Sequence, residues 1–241
     1  MSFSNFVNAG HPLVSSLLQL LIAAGIFAGG HLLISGTPLR ARVVARMGEG
    51  RFLGAYSLVA LVSLVWMMYA YNEAGWVPLW GQLLYLKPVA LVVMLIATIL
   101  VVAGLTTPNP TMTGGERFIG NETARTGIAA ITRHPFLWGV VLWALVHFII
   151  NGDGASTTFF GSLMLLAFVG TYSINDKRQQ KLGRDWDDYA AHTSNIPLLA
   201  LIQGRAGVRA KSIGWWRLGL AGLIYAALLG GHRSLFGVSP L

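Results

Sequence analysis

Six apolar runs constrain this chain more than any other feature: residues 13–34, 52–70, 83–105, 136–150, 159–174 and 215–229. A helix needs about 20 residues to cross a bilayer core, with a range of about 17–25. The first three runs reach that length alone. The fourth and fifth are shorter, so their helices extend into the flanking turns or cross where the protein is thin. Only 11% of the 241 residues are charged and 54% are hydrophobic, whereas soluble domains carry about 25% charged residues. The expected fold is all-α: a polytopic integral membrane protein with six transmembrane helices in a single helical domain, residues 1–241.

The charges give an orientation. Arg40, Arg42, Arg46 and Arg51 follow the first run. Arg117, Arg125 and Arg133 lie between the third and fourth. Lys177, Arg178, Lys181, Arg184, Arg205, Arg209, Lys211 and Arg217 lie between the fifth and sixth, so 15 of the 17 basic residues fall in three alternate turns. Residues 71–82 and 151–158 contain none. The positive-inside rule puts the basic turns in the cytoplasm and both termini outside. Trp76 and Trp80 then mark the outer interface, Trp215 and Trp216 the inner one. The net charge of +8 therefore reads as topology and contact with membrane lipid, not as a nucleic-acid surface. No basic n-region or cleavage site marks the first run as a signal peptide. With no Cys, disulfides, thiolate metal sites and iron–sulfur clusters are excluded.

Between the runs, Thr107-Pro108-Asn109-Pro110 ends the third helix. Asn121-Glu122-Thr123 is expected to open a short helix reaching Ile131. Residues 175–197 read as an interfacial helix at the cytoplasmic face, with Trp186 and Tyr189 three apart among Asp185, Asp187 and Asp188. Gly25 and Gly29 form a small-xxx-small face suited to close helix contact.

No GxSxG, HExxH, Walker or dinucleotide-binding glycine pattern is present. The histidines carry the chemistry. His11, His192 and His232 lie outside the apolar helices, whereas His31, His134 and His147 lie in or beside them, where an ionisable group points to function. Neutral imidazoles on facing helices are a known way to hold haem iron. Pro135 suits the first position of a helix, which makes His134 its N-cap. Arg133 and His134 then sit at the positive helix end, a corner suited to a propionate, a cofactor carboxylate or a lipid phosphate.

Several stretches resemble the NnrU family of bacterial inner-membrane proteins. They are Gly48-Glu49-Gly50-Arg51-Phe52, Ile131-Thr132-Arg133-His134-Pro135, Leu142-Trp143-Ala144-Leu145-Val146-His147 and Thr193-Ser194-Asn195-Ile196-Pro197. That family is linked to denitrification and nitric oxide metabolism and is related to plant isomerases acting on a 15-cis bond of zeta-carotene. The resemblance implies a bacterial cytoplasmic-membrane location and haem b, its iron held between His31 and His147. Arg133 or Arg40 would hold the propionates, and His134 would support the cofactor. A Cys that the isomerases carry three residues before the second ligand is Ala144 here. The implied ligand is nitric oxide or a hydrophobic polyene, and the implied activity a haem-dependent cis–trans isomerisation.

Depth along the helices bears on this assignment. His31 falls near the cytoplasmic end of its helix and His147 near the outer end of its own, an offset of up to about 10 Å. His134 is the substitute ligand. Two other readings stand beside it. Arg133-His134-Pro135 also occurs in the isoprenylcysteine methyltransferase family, where it helps hold S-adenosylmethionine. There a Glu pair stands where this chain has Asn175-Asp176-Lys177. The third reading is a non-enzymatic membrane sensor or scaffold.

Overall fold

The computed structural model describes residues 12–35, 38–207 and 210–241, all helices, turns and one isolated bridge. His11, Arg209 and the expected outward amino terminus lie outside them. The helices, in chain order, are α1 (Pro12–Ser35), α2 (Pro38–Met47), α3 (Glu49–Glu73), α4 (Lys87–Thr106), α5 (Ile128–Ile131), α6 (Pro135–Asn151), α7 (Gly154–Leu182), α8 (Arg184–Ala191), α9 (Leu199–Ile202), α10 (Ala210–Ile213) and α11 (Trp215–Phe236).

Four stretches are long and apolar enough to cross a membrane: Ser16–Ile34, Glu49–Glu73, Leu84–Thr106 and Gly154–Leu182. At most a third of each apolar window is buried. Along α3, Leu58, Val59, Leu61, Val62 and Val65 are all exposed. A continuous exposed apolar surface of this kind is what lipid covers. α6 has 17 residues, the lower limit for a span, and α11 has 22.

Contacts divide the described residues into two compact units, one of those up to 84 with 147–166, the other of 85–146 with those from 167 on. In the first, α1 packs along α3, and α2 folds back against both. The basic block after the first apolar run is thus helical, ended by Gly48 at φ 83°. At the far end of α3, Tyr71 stacks on Phe159 with ring centroids 4.7 Å apart. Its hydroxyl meets that of Ser156 at 3.1 Å. The backbone N–H groups of Leu79, Trp80 and Gly81 all donate to the carbonyl of Gly152 at 2.9–3.2 Å. Gly152 has φ 64°, and a β-carbon there would strike the Gly81 carbonyl. Only glycine adopts that conformation at so close an approach.

In the second unit, α11 packs along α4. Leu100, Ala103 and Ile128 form a core with Ile131, Trp138, Leu142 and Ile213 around it. α4 and α6 approach through glycines: a β-carbon on Gly139 would lie 2.6 Å from Val101 Cγ2, and one on Gly104 2.6 Å from the Phe136 nitrogen. The Arg217 guanidinium ties the start of α11 to the end of α4, donating to the carbonyls of Thr106 at 3.0 Å and Ile213 at 2.9 Å.

Three expectations need correction. The helix expected from residue 121 to Ile131 is broken: a 3-10 turn at Glu122–Ala124 is followed by Gly127 at φ 61° before α5 begins. The stretch read as one interfacial helix is split by Gly183 at φ 53°, and α8 turns its aromatics inward. Trp186 is 2% exposed and Tyr189 0%. An amphipathic stripe has the same period whether it meets lipid or protein. At Gly25 and Gly29 an added β-carbon meets nothing within 4 Å, so that pair makes no close helix contact among the described residues.

Candidate functional site

His31 lies four residues from the end of α1 and lines an apolar groove. Its Nδ1 is 2.7 Å from the Phe27 carbonyl oxygen, so Nδ1–H donates there and Nε2 keeps its lone pair. Its ring packs on Phe27 at 4.6 Å and edge-on to Tyr56 at 5.3 Å. α1, α2 and α3 enclose a cavity of about 190 Å³, bordered by Gly30, Met47, Phe52, Ala60 and Ser63 among others. Ser63 turns its hydroxyl to the Val59 carbonyl on its own helix. His31 and Tyr56 are the other side chains with polar atoms on the groove wall. Arg40 is engaged nearby, in an ion pair with Glu49 at 2.6 Å and 5.4 Å above the Phe52 ring.

His147 belongs to the other end of the same unit. Its ring stacks on Phe160 at 4.7 Å, and Phe160 meets Tyr71 at 5.7 Å. Tyr56, beside His31, and Tyr71 are separated by about 22 Å of α3. A second route gives a smaller offset. Leu17 of α1 lies 3.4 Å from where a Gly154 β-carbon would stand. From that level His31 is about 21 Å along α1 and Phe160 about 9 Å along α7, a difference of about 12 Å. The neighbours of His31 and His147 thus border different ends of this unit. Among the described residues, no group of three or more His, Asp or Glu is placed to hold a metal ion.

In the second unit, the Arg133–His134 corner is stitched to a loop sixty residues later. Thr132 Oγ1 donates to the Asn195 carbonyl at 2.7 Å. The backbone N–H of Arg133 donates to the Ser194 carbonyl and that of Leu198 to the Ile131 carbonyl, both at 2.8 Å. Thr111 and Asn109 both donate to the Arg133 carbonyl. Two motif stretches far apart in sequence are thus one structural joint. His134 is 2% exposed. Its Nε2 lies 2.8 Å from Asn175 Oδ1, and its Nδ1 has no hydrogen-bond partner. Burial, above all, holds its pKa down at about 4; the Asn175 bond opposes this, and the Arg133 and Arg178 charges add to it. His134 is therefore a neutral, buried joint residue whose Nε2 is already committed. Arg133 donates to the Thr193 carbonyl at 3.1 Å and lies 5.6 Å from the Trp186 ring centroid.

Sequence reasoning missed Asn175, the partner of His134, and Tyr56 and Phe52, which wall the His31 groove. Phe52 was visible within the Gly48–Phe52 stretch; nothing in the sequence paired Asn175 with His134.

Comparison with known proteins adds two similarities. The chain is 30% identical over 80 residues to the chloroplastic 15-cis-zeta-carotene isomerases of Arabidopsis thaliana and Zea mays. Each match covers 33% of this chain and only 22% of the relative's length. No solved structure matches. Residues 19–240 match the family described as NnrU protein, and with nearly the whole chain inside that match, the protein belongs to the NnrU family.

Proposed function

We propose that this protein binds a long apolar polyene in the groove between α1, α2 and α3, and that its activity is of the cis–trans isomerase type. The observation that carries the reading is the groove itself. It is narrow, apolar, inside spanning helices, and bordered by one imidazole with a free Nε2. Similarity to the zeta-carotene isomerases supplies the substrate class. The groove walls would exclude water and hold the chain by dispersion, and His31 would be the polar contact against it. The reading takes six helices across a bacterial cytoplasmic membrane, α6 and α11 included, with the Arg-rich turns on the cytoplasmic side. The test is reconstitution in lipid nanodiscs, dark incubation with a 15-cis polyene, and separation of the isomers. Retention of the polyene with loss of the cis form is expected; failure to retain it removes the reading.

A second reading is haem b, with a role in nitric oxide metabolism, and one observation favours it. The Nδ1–H bond to the Phe27 carbonyl leaves His31 in the tautomer a metal ligand needs. In this form of the proposal His31 is the only protein ligand. The spectrum of protein expressed with added haem decides it. A Soret band lost in His31→Ala and kept in His147→Ala supports it, and absence of the band removes it.

A further inference from the structure

Two guanidinium groups converge on one backbone carbonyl in the second unit. Arg133 Nη2 donates to the Thr193 oxygen at 3.1 Å, and Arg205 Nη1 donates to the same oxygen at 3.0 Å. Two positive groups therefore lie at most about 6 Å apart, close enough for appreciable repulsion. Neither forms an ion pair among the described residues. The carboxylate nearby, Asp188, is held by Arg125. Arg205 has a structural task as well: it donates to the carbonyls of Ala190 and Ala191 at the end of α8 and to Gln203 Oε1. Those neutral acceptors leave its charge uncancelled, and Nη2, which donates to Gln203 Oε1 alone, keeps a second hydrogen.

The groups around the pair are also incompletely matched. Arg133 Nε is buried without a partner. The Tyr189 hydroxyl is fully buried, has no partner, and feels the charges of Arg133 and Arg125. Burial is the main cause of the downward pKa shift of Arg133, and Arg205 adds to it. Arg205 is exposed, which leaves the pair open to the surface.

We infer that Arg133 and Arg205, with the Tyr189 hydroxyl beside Arg133, bind a phosphate-type oxyanion. Planar guanidinium groups match the geometry of such an anion and keep their charge at any working pH. The anion would neutralise the pair and give Arg133 and Tyr189 the partners they lack. A phospholipid headgroup and free phosphate share this chemistry. The site is independent of the His31 groove.

The full-length protein in phosphate-free detergent is titrated calorimetrically with inorganic phosphate. In a second arm it is placed in nanodiscs with and without phosphatidylglycerol, and lipid retained after detergent extraction is counted by native mass spectrometry. Binding in the first arm identifies free phosphate, and selective retention in the second identifies the headgroup. Either supports the site, provided that Arg205→Gln weakens it at least about tenfold while the exposed Arg46→Gln leaves it unchanged. Tyr189→Phe, which keeps the packing, is expected to weaken it several-fold and serves if Arg205→Gln does not purify. Absence of wild-type binding in both arms overturns the inference. So does unchanged binding in the tested site variant, or an equal loss in Arg46→Gln.

Discussion

The Nε2–H of His134 donates to Oδ1 of Asn175 at 2.8 Å, and this bond locks a buried imidazole between the start of α6 and the later part of α7. Asn175→Leu removes the acceptor and leaves a buried donor unmatched. A loss of about 1–3 kcal/mol is expected, read as a lower melting temperature in detergent. Asn175→Asp retains an acceptor and is expected to melt closer to wild type.

The same imidazole makes stability depend on pH. Its folded pKa of about 4 lies below the ordinary 6.5, so between these values the unfolded chain binds the extra proton. Its contribution is complete above pH 6.5 and is lost as pH falls toward 4, by on the order of 3 kcal/mol. Melting curves between pH 7 and 4 check this, and His134→Gln is expected to flatten the slope in that window.

Glu116 acts in a lower window. Hydrogen bonding from Lys181 is the largest influence, its own backbone amide the next, and with the charge of Arg178 they hold its carboxyl at about 2. An unfolded carboxyl titrates near 4.5. The stabilisation is therefore present above pH 4.5 and disappears as pH falls toward 2. Glu116→Gln is expected to lower the melting temperature at pH 6 and to approach wild type near pH 2.

Glycines separate tight contacts from open ones. Gly139→Leu drives a side chain into Val101 and the Ala97 carbonyl, and overpacking of this kind costs about 1–3 kcal/mol or more. Gly25→Ala and Gly29→Ala meet no neighbour and are expected to be neutral or to stabilise by up to about 1 kcal/mol. Comparative melting of the three variants checks the contrast.

The glycine contrast also shows where the sequence was legible. The apolar runs reveal the helices because hydropathy over about 20 residues reflects a property of the whole segment. A small-xxx-small spacing does not reveal whether another helix is there, and the glycines that matter, Gly104 and Gly139, lie on different helices. Trp186 and Tyr189 were legible as one apolar face, but the period is silent on whether lipid or protein covers it. His31 was legible as an intramembrane imidazole, and Phe27 follows from the i, i+4 spacing on α1, while Tyr56 emerges only when α1 and α3 pack. The His31–His147 pairing was what the family resemblance implied, and the ring neighbours of each imidazole emerge only from the packing.

The His31 groove is tested most directly by polyene binding, followed by absorption in nanodiscs, for wild type, Gly30→Phe and His147→Ala. Gly30 borders the groove, and a β-carbon there meets nothing within 4 Å, so a phenyl ring can fill the space without breaking a helix contact. Wild type and His147→Ala are expected to bind alike, with Gly30→Phe at least about tenfold weaker. Equal binding by Gly30→Phe and wild type, or loss of binding in His147→Ala alone, would contradict the account.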